Sequence, residues 1–320
     1  MVYDHYGSPD DLELRDVPEP EPTDDEVLVR VRASSLNSWD RDLLVGNFMG
    51  RLGVTAPLRP RHHVLGADIA GVVERVGAGV DRFRPGDEVY GDVSAHRWGG
   101  FAEYVTAPQR LLAAKPASID FGEAAALPQA GVLALQSLRL GVRPAPGARV
   151  LLIGAGGGVG TLGIQLAAND GAEVTAVDRA DKLDALTALG AKHVVDHTVA
   201  DPLDAEGRYD LIVDVVAHHR LRAYRAALAP GGSCALVGGA TGLMLRAAIG
   251  GALPSRGSDR HVRLLVHRPN SDDLAELAAM IDAGDLRPVV DRRFPLADVP
   301  EAFRYYETGA TVGKIVITLD

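Results

Sequence analysis

Arg149 to Gly160 reads RVLLIGAGGGVG, a short run of branched apolar residues that breaks directly into glycines. Arg149 to Ile153 predicts a buried strand. Beyond it, Val159, Leu162, Gly163, Leu166 and Ala167 place small or apolar residues at helical spacing, and Gly171 stands where a helix would be capped. The stretch therefore predicts strand, turn and helix. Glycines suit such a turn because a diphosphate must come close to backbone N–H groups at the positive end of a helix, where a Cβ would block it. Ala155, Gly157 and Gly160 fall on the three positions of a GxGxxG pattern, with alanine first. Ala155, Gly156, Gly157, Gly158, Val159 and Gly160 are thus candidate dinucleotide-binding residues.

The flanks extend the pattern. A second strand, Glu173 to Val177, ends in Asp178, eighteen residues past Gly160. That spacing suits a carboxylate accepting hydrogen bonds from an adenosine ribose. A helix around Lys182 to Leu189 follows, then strands at His193–Val195, Leu211–Val215, Cys234–Val237 and Val262–Val266. Six strands separated by helices predict a Rossmann domain with a doubly wound parallel sheet.

Length and composition set bounds. At 320 residues the chain can hold two domains, and 47% hydrophobic with 24% charged residues is ordinary for a globular protein. A formal net charge of −10 argues against nucleic acid as a main partner, which would require clustered Lys and Arg. No apolar run reaches the roughly 18 residues of a membrane helix, and no secretory leader is legible. The single cysteine, Cys234, falls inside a predicted strand, which excludes a disulfide framework and leads us to expect a cytoplasmic protein.

Residues 1–118 read as β-rich: Val27–Val31 alternates, Gly71–Val76 is a second strand, and Pro85-Gly86-Asp87 forms a tight turn. The acidic run Asp10–Glu26 reads as a solvated loop and edge strand. Phe121 to Leu140 turns alanine-rich and helical. After the sixth strand, Ser271–Ala283 is helical with Gly284 as its stop, Leu286–Phe294 is extended, Pro300–Glu307 is a short helix and Lys314–Leu319 is a final strand. This tail has no place left in a six-stranded sheet. The expected domains are therefore 1–118 with 269–320, and 119–268. Gly239–Arg260 shows no clear periodicity and reads as a surface loop or a flap. Residues 41–62 are equally hard to interpret.

The segments VYDHYGSPDDLELRDVPEPEPTDDEVLVRVRASSLN, LGADIAGVVERVGAGVDRFRPGDEVYGD, GGFAEYV, AAALP, the glycine turn, LGAKHVVDH and GKIVITL together resemble the medium-chain dehydrogenase/reductase superfamily. Within it the chain is similar to the zinc-independent quinone oxidoreductase branch. The resemblance implies a GroES-like domain beside the Rossmann domain. It also implies NADPH- or NADH-dependent hydride transfer to a small-molecule acceptor, a quinone or a C=C bond conjugated to a carbonyl. A homodimer through the Rossmann edge strand is implied by analogy.

In zinc alcohol dehydrogenases the first metal ligand is a Cys at the position matching Asn37, the His-Glu pair matches Ala67 and Asp68, and the last ligand falls near Gln129. A catalytic zinc needs three ligands, normally Cys, His or a carboxylate. That set is absent, and the adjacent His62 and His63 would point to opposite faces of an extended segment. The expectation is no zinc. Charge developing on a carbonyl oxygen must then be met by hydrogen-bond donors. The resemblance puts Asn37 beside the nicotinamide ribose and the substrate, while the residue alone reads equally as a turn-former. Trp39 and Asp40 follow as pocket candidates, Trp39 as a hydrophobic wall and Asp40 alternatively as a helix cap. The family often has proline where Ser38 stands and threonine where Leu133 stands.

Position along the sheet suggests further nicotinamide contacts at Val216, otherwise a core residue, and at Gly238 and Gly239, otherwise a turn. Asp178 should repel a 2′-phosphate, whereas Arg179 and Lys182 could attract one, so the residues favour NADH and the resemblance favours NADPH. Two other readings stay open: a non-catalytic dinucleotide-binding sensor, and a pathway-specific reductase of a larger intermediate.

Overall fold

In the computed structural model the described residues are 1–47, 59–141, 144–204, 207–252 and 259–319. Parts of the two hard-to-read segments, 48–58 and 253–258, lie outside them. The chain divides into two compact units, Met1–Gln129 with Arg268–Asp320, and Ala130–His267.

The first unit begins with β1 (Glu26–Leu36), α1 (Ser38–Val45), β2 (Asp68–Val76), β3 (Glu88–Asp92), β4 (Tyr104–Pro108), β5 (Leu112–Ala114), α2 (Phe121–Ala125) and the start of α3 (Pro128–Leu138). The second holds the rest of α3, then β6 (Arg149–Ile153), α4 (Gly158–Asn169), β7 (Glu173–Asp178), α5 (Leu183–Ala188), β8 (His193–Asp196), β9 (Tyr209–Asp214), α6 (Leu221–Ala227), β10 (Leu228–Leu236), α7 (Thr241–Ala252) and β11 (His261–Leu264). The tail returns to the first unit as α8 (Ser271–Ala283), β12 (Val290–Pro295), α9 (Val299–Glu307) and β13 (Lys314–Thr318).

Among the described residues the first unit builds a seven-stranded sheet in the order β12-β13-β1-β2-β3-β5, with β4 also paired to β1. β1 is its spine, antiparallel to β13, β2 and β4, so the final strand is hydrogen-bonded to the first. Val27, Val29 and Val31 alternate inward to a core that includes Ile69, Phe101, Phe303 and Ile317. Gly86, at φ +95°, makes the turn before β3 that Pro85-Gly86-Asp87 predicts.

The second unit is a parallel sheet ordered β11-β10-β9-β6-β7-β8. Read from β8, the strands come third, second, first, fourth, fifth, sixth, which is the doubly wound Rossmann order. The order reverses between β6 and β9, and β6 is the strand that feeds the glycine turn.

Two expectations are corrected. Gly239–Arg260 is not a loop throughout, because it contains α7, which buries Met244 and Ala247 in the Rossmann core. The consecutive Leu243-Met244-Leu245 hides the helical period, and Gly242 and Gly250 lower the propensity. The acidic run is not solvated to its end. Glu26 is 3% exposed, pairs with His96 at 2.9 Å and opens β1, and before it the run supplies a single isolated bridge, Glu13 to Val2.

Candidate functional site

The nucleotide turn is built from steric necessities. Gly154 takes φ +76°, and a Cβ there would lie 2.5 Å from Val215. The left-handed residue of the turn is thus Gly154, one place before Ala155, which is why alanine is tolerated at the first motif position. A Cβ on Gly160 would sit 2.4 Å from the Ala155 backbone, so this glycine lets α4 press against the turn. Gly157 differs: a Cβ there would meet nothing closer than the Gly154 carbonyl at 3.8 Å. It is the N-cap of α4, with Gly158 and Val159 opening the helix, and its bare α-carbon faces open space at the helix's positive end.

Asp178 ends β7 and folds back onto this turn. Its Oδ2 accepts from the Gly156 amide at 2.7 Å, its Oδ1 accepts from the Arg179 amide at 2.9 Å, and Lys182 Nζ lies 3.4 Å away. Arg179 forms a two-pronged pair with Asp181, both contacts 3.1 Å. Each basic residue named for a 2′-phosphate therefore has a carboxylate partner, and the charge of Asp178 is compensated.

Val216 is 51% exposed, with its amide donating to Asp214 Oδ1 at 2.9 Å, so it is not a core residue. Gly238 and Gly239 serve a close backbone approach. Gly238 O accepts from the Ala217 amide at 2.9 Å, and Gly239 at φ +144° has room only for hydrogen, since a Cβ would lie 2.1 Å from Ala217 O. Asp214 is buried and held by Tyr224 Oη at 2.7 Å, and burial raises its carboxyl above the ordinary value.

In the first unit Asn37 caps α1, and its amide is engaged at both ends. Nδ2 donates to Asp68 Oδ2 at 2.9 Å, and Oδ1 accepts from Lys314 Nζ. Asp40 is corrected as a pocket contact. It has no accessible surface, and its two oxygens accept from the Asn37 and Gly66 amides, each at 2.8 Å. It fixes the segment from inside. Trp39 is 47% exposed and lies nearly parallel to Trp98, with ring centroids 6.4 Å apart and a 14° tilt. Trp98 holds φ +61°, a strained value for a bulky residue, and is buried beneath its partner.

Three positions that the resemblance matched to metal ligands do converge. Asp68 Oδ1 accepts from the Gln129 amide at 2.8 Å, while its Oδ2 gathers Asn37, Ser35 Oγ at 2.8 Å and Lys314 Nζ at 3.1 Å. Lys314 is the residue that sequence reasoning missed. Its only signal is a lone charge heading the apolar strand KIVITL. His62 and His63 diverge: His63 Nδ1 is 3.1 Å from Tyr3 O, while His62 hydrogen-bonds the Arg97 backbone. No cluster of three His, Cys, Asp or Glu able to hold a metal occurs among the described residues.

Comparison with known proteins agrees with this architecture. Residues 23–117 match the family model of the alcohol dehydrogenase GroES-like domain, and 189–317 match that of a zinc-binding dehydrogenase. The chain is 34% identical to the NADPH-dependent alkenal/one oxidoreductase, chloroplastic, of Arabidopsis thaliana, over 99% of this chain and 78% of that protein. It is 33% identical to the 2-methylene-furan-3-one reductase of Solanum lycopersicum, over 98% and 77%. The structure of the quinone oxidoreductase from Coxiella burnetii superposes with a TM-score of 0.86 at 28% identity, over 100% of this chain and 98% of that one. The chain belongs to the medium-chain dehydrogenase/reductase superfamily, in its quinone oxidoreductase-like branch. The zinc named in one family model does not fit the residues here: the matched positions offer an amide and one carboxylate, both already engaged by the Lys314 ammonium, and a main-chain N–H that donates to the same carboxylate.

Proposed function

We propose that this protein is an NADPH- or NADH-dependent reductase of quinones or of C=C bonds conjugated to a carbonyl, working without zinc. The observation that carries the reading is the turn at Gly154–Gly160, where Gly154 and Gly160 are sterically required and Gly157 leaves open space at a helix N-terminus. Gly157, Gly158 and Val159 would hold the diphosphate, and Asp178 would accept from the adenosine ribose. The nicotinamide, when bound, supplies the hydride. Val216, exposed past the end of β9, lies where strand C-termini face ligands in such sheets. Trp39, supported by the strained Trp98, offers an aromatic face to a planar acceptor.

The Lys182 partner softens the repulsion between Asp178 and a 2′-phosphate, so both nicotinamides are accepted and Asp178 sets a preference for NADH. Edge strand β11 supports a homodimer, and the buried thiol of Cys234, whose pKa burial pushes up, fits a reducing cytoplasm. The deciding experiment follows oxidation of NADH and of NADPH at a wavelength specific to the reduced nicotinamide, with a benzoquinone, a naphthoquinone, an enone and an aldehyde as acceptors, with and without chelator. Chelator-insensitive turnover of quinone or enone is expected. Tight nicotinamide binding with no turnover of any acceptor would move the reading to a sensor.

A further inference from the structure

Asp68 is fully buried, yet donors meet it from four elements. The Gln129 amide reaches Oδ1 from the start of α3; Ser35 of β1, Asn37 before α1 and Lys314 of β13 all reach Oδ2. Lys314 is itself only 5% exposed and shares its ammonium between Asp68 Oδ2 and Asn37 Oδ1. A lysine is seldom buried this deeply unless paired, because its charge loses water on burial. The geometry is that of a small cation site: one ionised oxygen and one amide oxygen converge on a positive centre, and the carboxylate is steadied by further donors.

We propose that Lys314 is a tethered cation standing in the electrostatic place of the family's metal. It compensates Asp68, it orients the Asn37 amide with Oδ1 toward itself and Nδ2 toward Asp68, and it closes the site to zinc. The last consequence follows from charge, since a divalent ion would have to enter beside a buried ammonium with Asp68 the one carboxylate in contact, among the described residues, to offset both. It also follows from ligand chemistry, since neither thiolate nor imidazole is present at Asn37, Ala67, Asp68 or Gln129. Lys314 is therefore a positioning residue, acting on the site through Asn37.

The test is a double-mutant cycle read by thermal unfolding at pH 7.5: wild type, Lys314→Met, Asp68→Asn and Lys314→Met/Asp68→Asn, each with and without added zinc chloride. Either single change leaves one buried group without its partner and should lower Tm by on the order of 5–10 °C. The double variant removes both charges and should recover most of the loss, with zinc leaving the wild-type Tm unmoved. Losses that simply add, or a zinc-dependent rise in wild-type Tm that Asp68→Asn abolishes, would overturn the proposal. If Lys314→Met does not fold, the double variant decides: folded supports the compensation, unfolded refutes it. A kinetic arm rests on the reductase reading. Lys314→Met should lower kcat at least tenfold with the nicotinamide KM unchanged, and an unaltered kcat would remove the role assigned to Asn37 orientation. The stability and zinc arms need no turnover, so they stand or fall separately from that reading.

Discussion

Asp178 joins a structural duty to a proposed one. It closes the turn through the Gly156 amide, with Lys182 held at 3.4 Å, and it is the carboxylate proposed to accept from the adenosine ribose. Replacing it by serine removes a carboxylate and releases Lys182 toward a 2′-phosphate, two effects of the same sign. Asp178→Ser should therefore raise the ratio of kcat/KM for NADPH over NADH by at least tenfold, and an unchanged ratio would remove Asp178 from selectivity. Asp40 carries a prediction about pH. Burial lifts its carboxyl from the ordinary 3.8 to about 7, against the pull of two amides and of Lys314. A raised native pKa favours the protonated folded state, so its contribution is fully present at acid pH and is lost as pH rises from about 4 to about 7. Asp40→Asn should flatten that part of the stability profile, which denaturant unfolding across pH 4–8 would register as a reduced slope. Trp39→Ala should raise KM for a naphthoquinone several-fold, up to roughly tenfold, since a stacked aromatic pair is worth about 0.5–1.5 kcal/mol beyond its area. Steady-state kinetics with the acceptor varied would measure it.

At the scale of elements, the strand–turn–helix of β6 and α4 uses its glycines unequally, and one substitution applied twice exposes the difference. Gly157→Ala meets only an ordinary contact at 3.8 Å and has a φ of −82°, so the fold should persist. Its methyl would project into the space proposed for the diphosphate, and on that reading KM for the nicotinamide should rise more than tenfold. Gly160→Ala pushes a methyl to 2.4 Å from the Ala155 backbone, which must move. That overpacking should cost about 1–3 kcal/mol of stability. Measuring Tm and nicotinamide KM for both variants separates the two roles, and equal losses of stability would contradict the assignment. The same helix was legible because its period is clean. α7 was not, since a continuous apolar triplet gives no phase by which to tell a helix from a loop.

At the scale of the molecule, the residues proposed for the nucleotide and the polar cluster around Asp68 belong to different units. The turn, Asp178, Val216, Gly238 and Gly239 all belong to Ala130–His267, while Asn37, Trp39, Asp68 and Lys314 belong to the other unit. A nicotinamide at a hundred times its Kd adds about 2.7 kcal/mol to whatever binds it. Hydrogen exchange should therefore show the strongest added protection in β6, the turn and α4; protection greatest in β1 and β13 instead would place the nucleotide wrongly.

The sequence by itself determined the Rossmann fold class, the glycine turn between a strand and a helix, and the second strand that ends in Asp178. Each of these is written in local signals: a strand-length apolar run, a helical period, a glycine where φ or a close approach demands one, a fixed count from Gly160 to Asp178. Only the tertiary structure decided what the polar residues do. Lys314 and Asp68 meet across 246 positions of sequence, and Asn37 and Lys314 across 277. Such pairing is set by strand register, here β13 laid against β1 with Leu36 opposite Ile315, the residue after Lys314. Register follows from which faces are buried once the whole sheet has formed, and no window of the chain contains it.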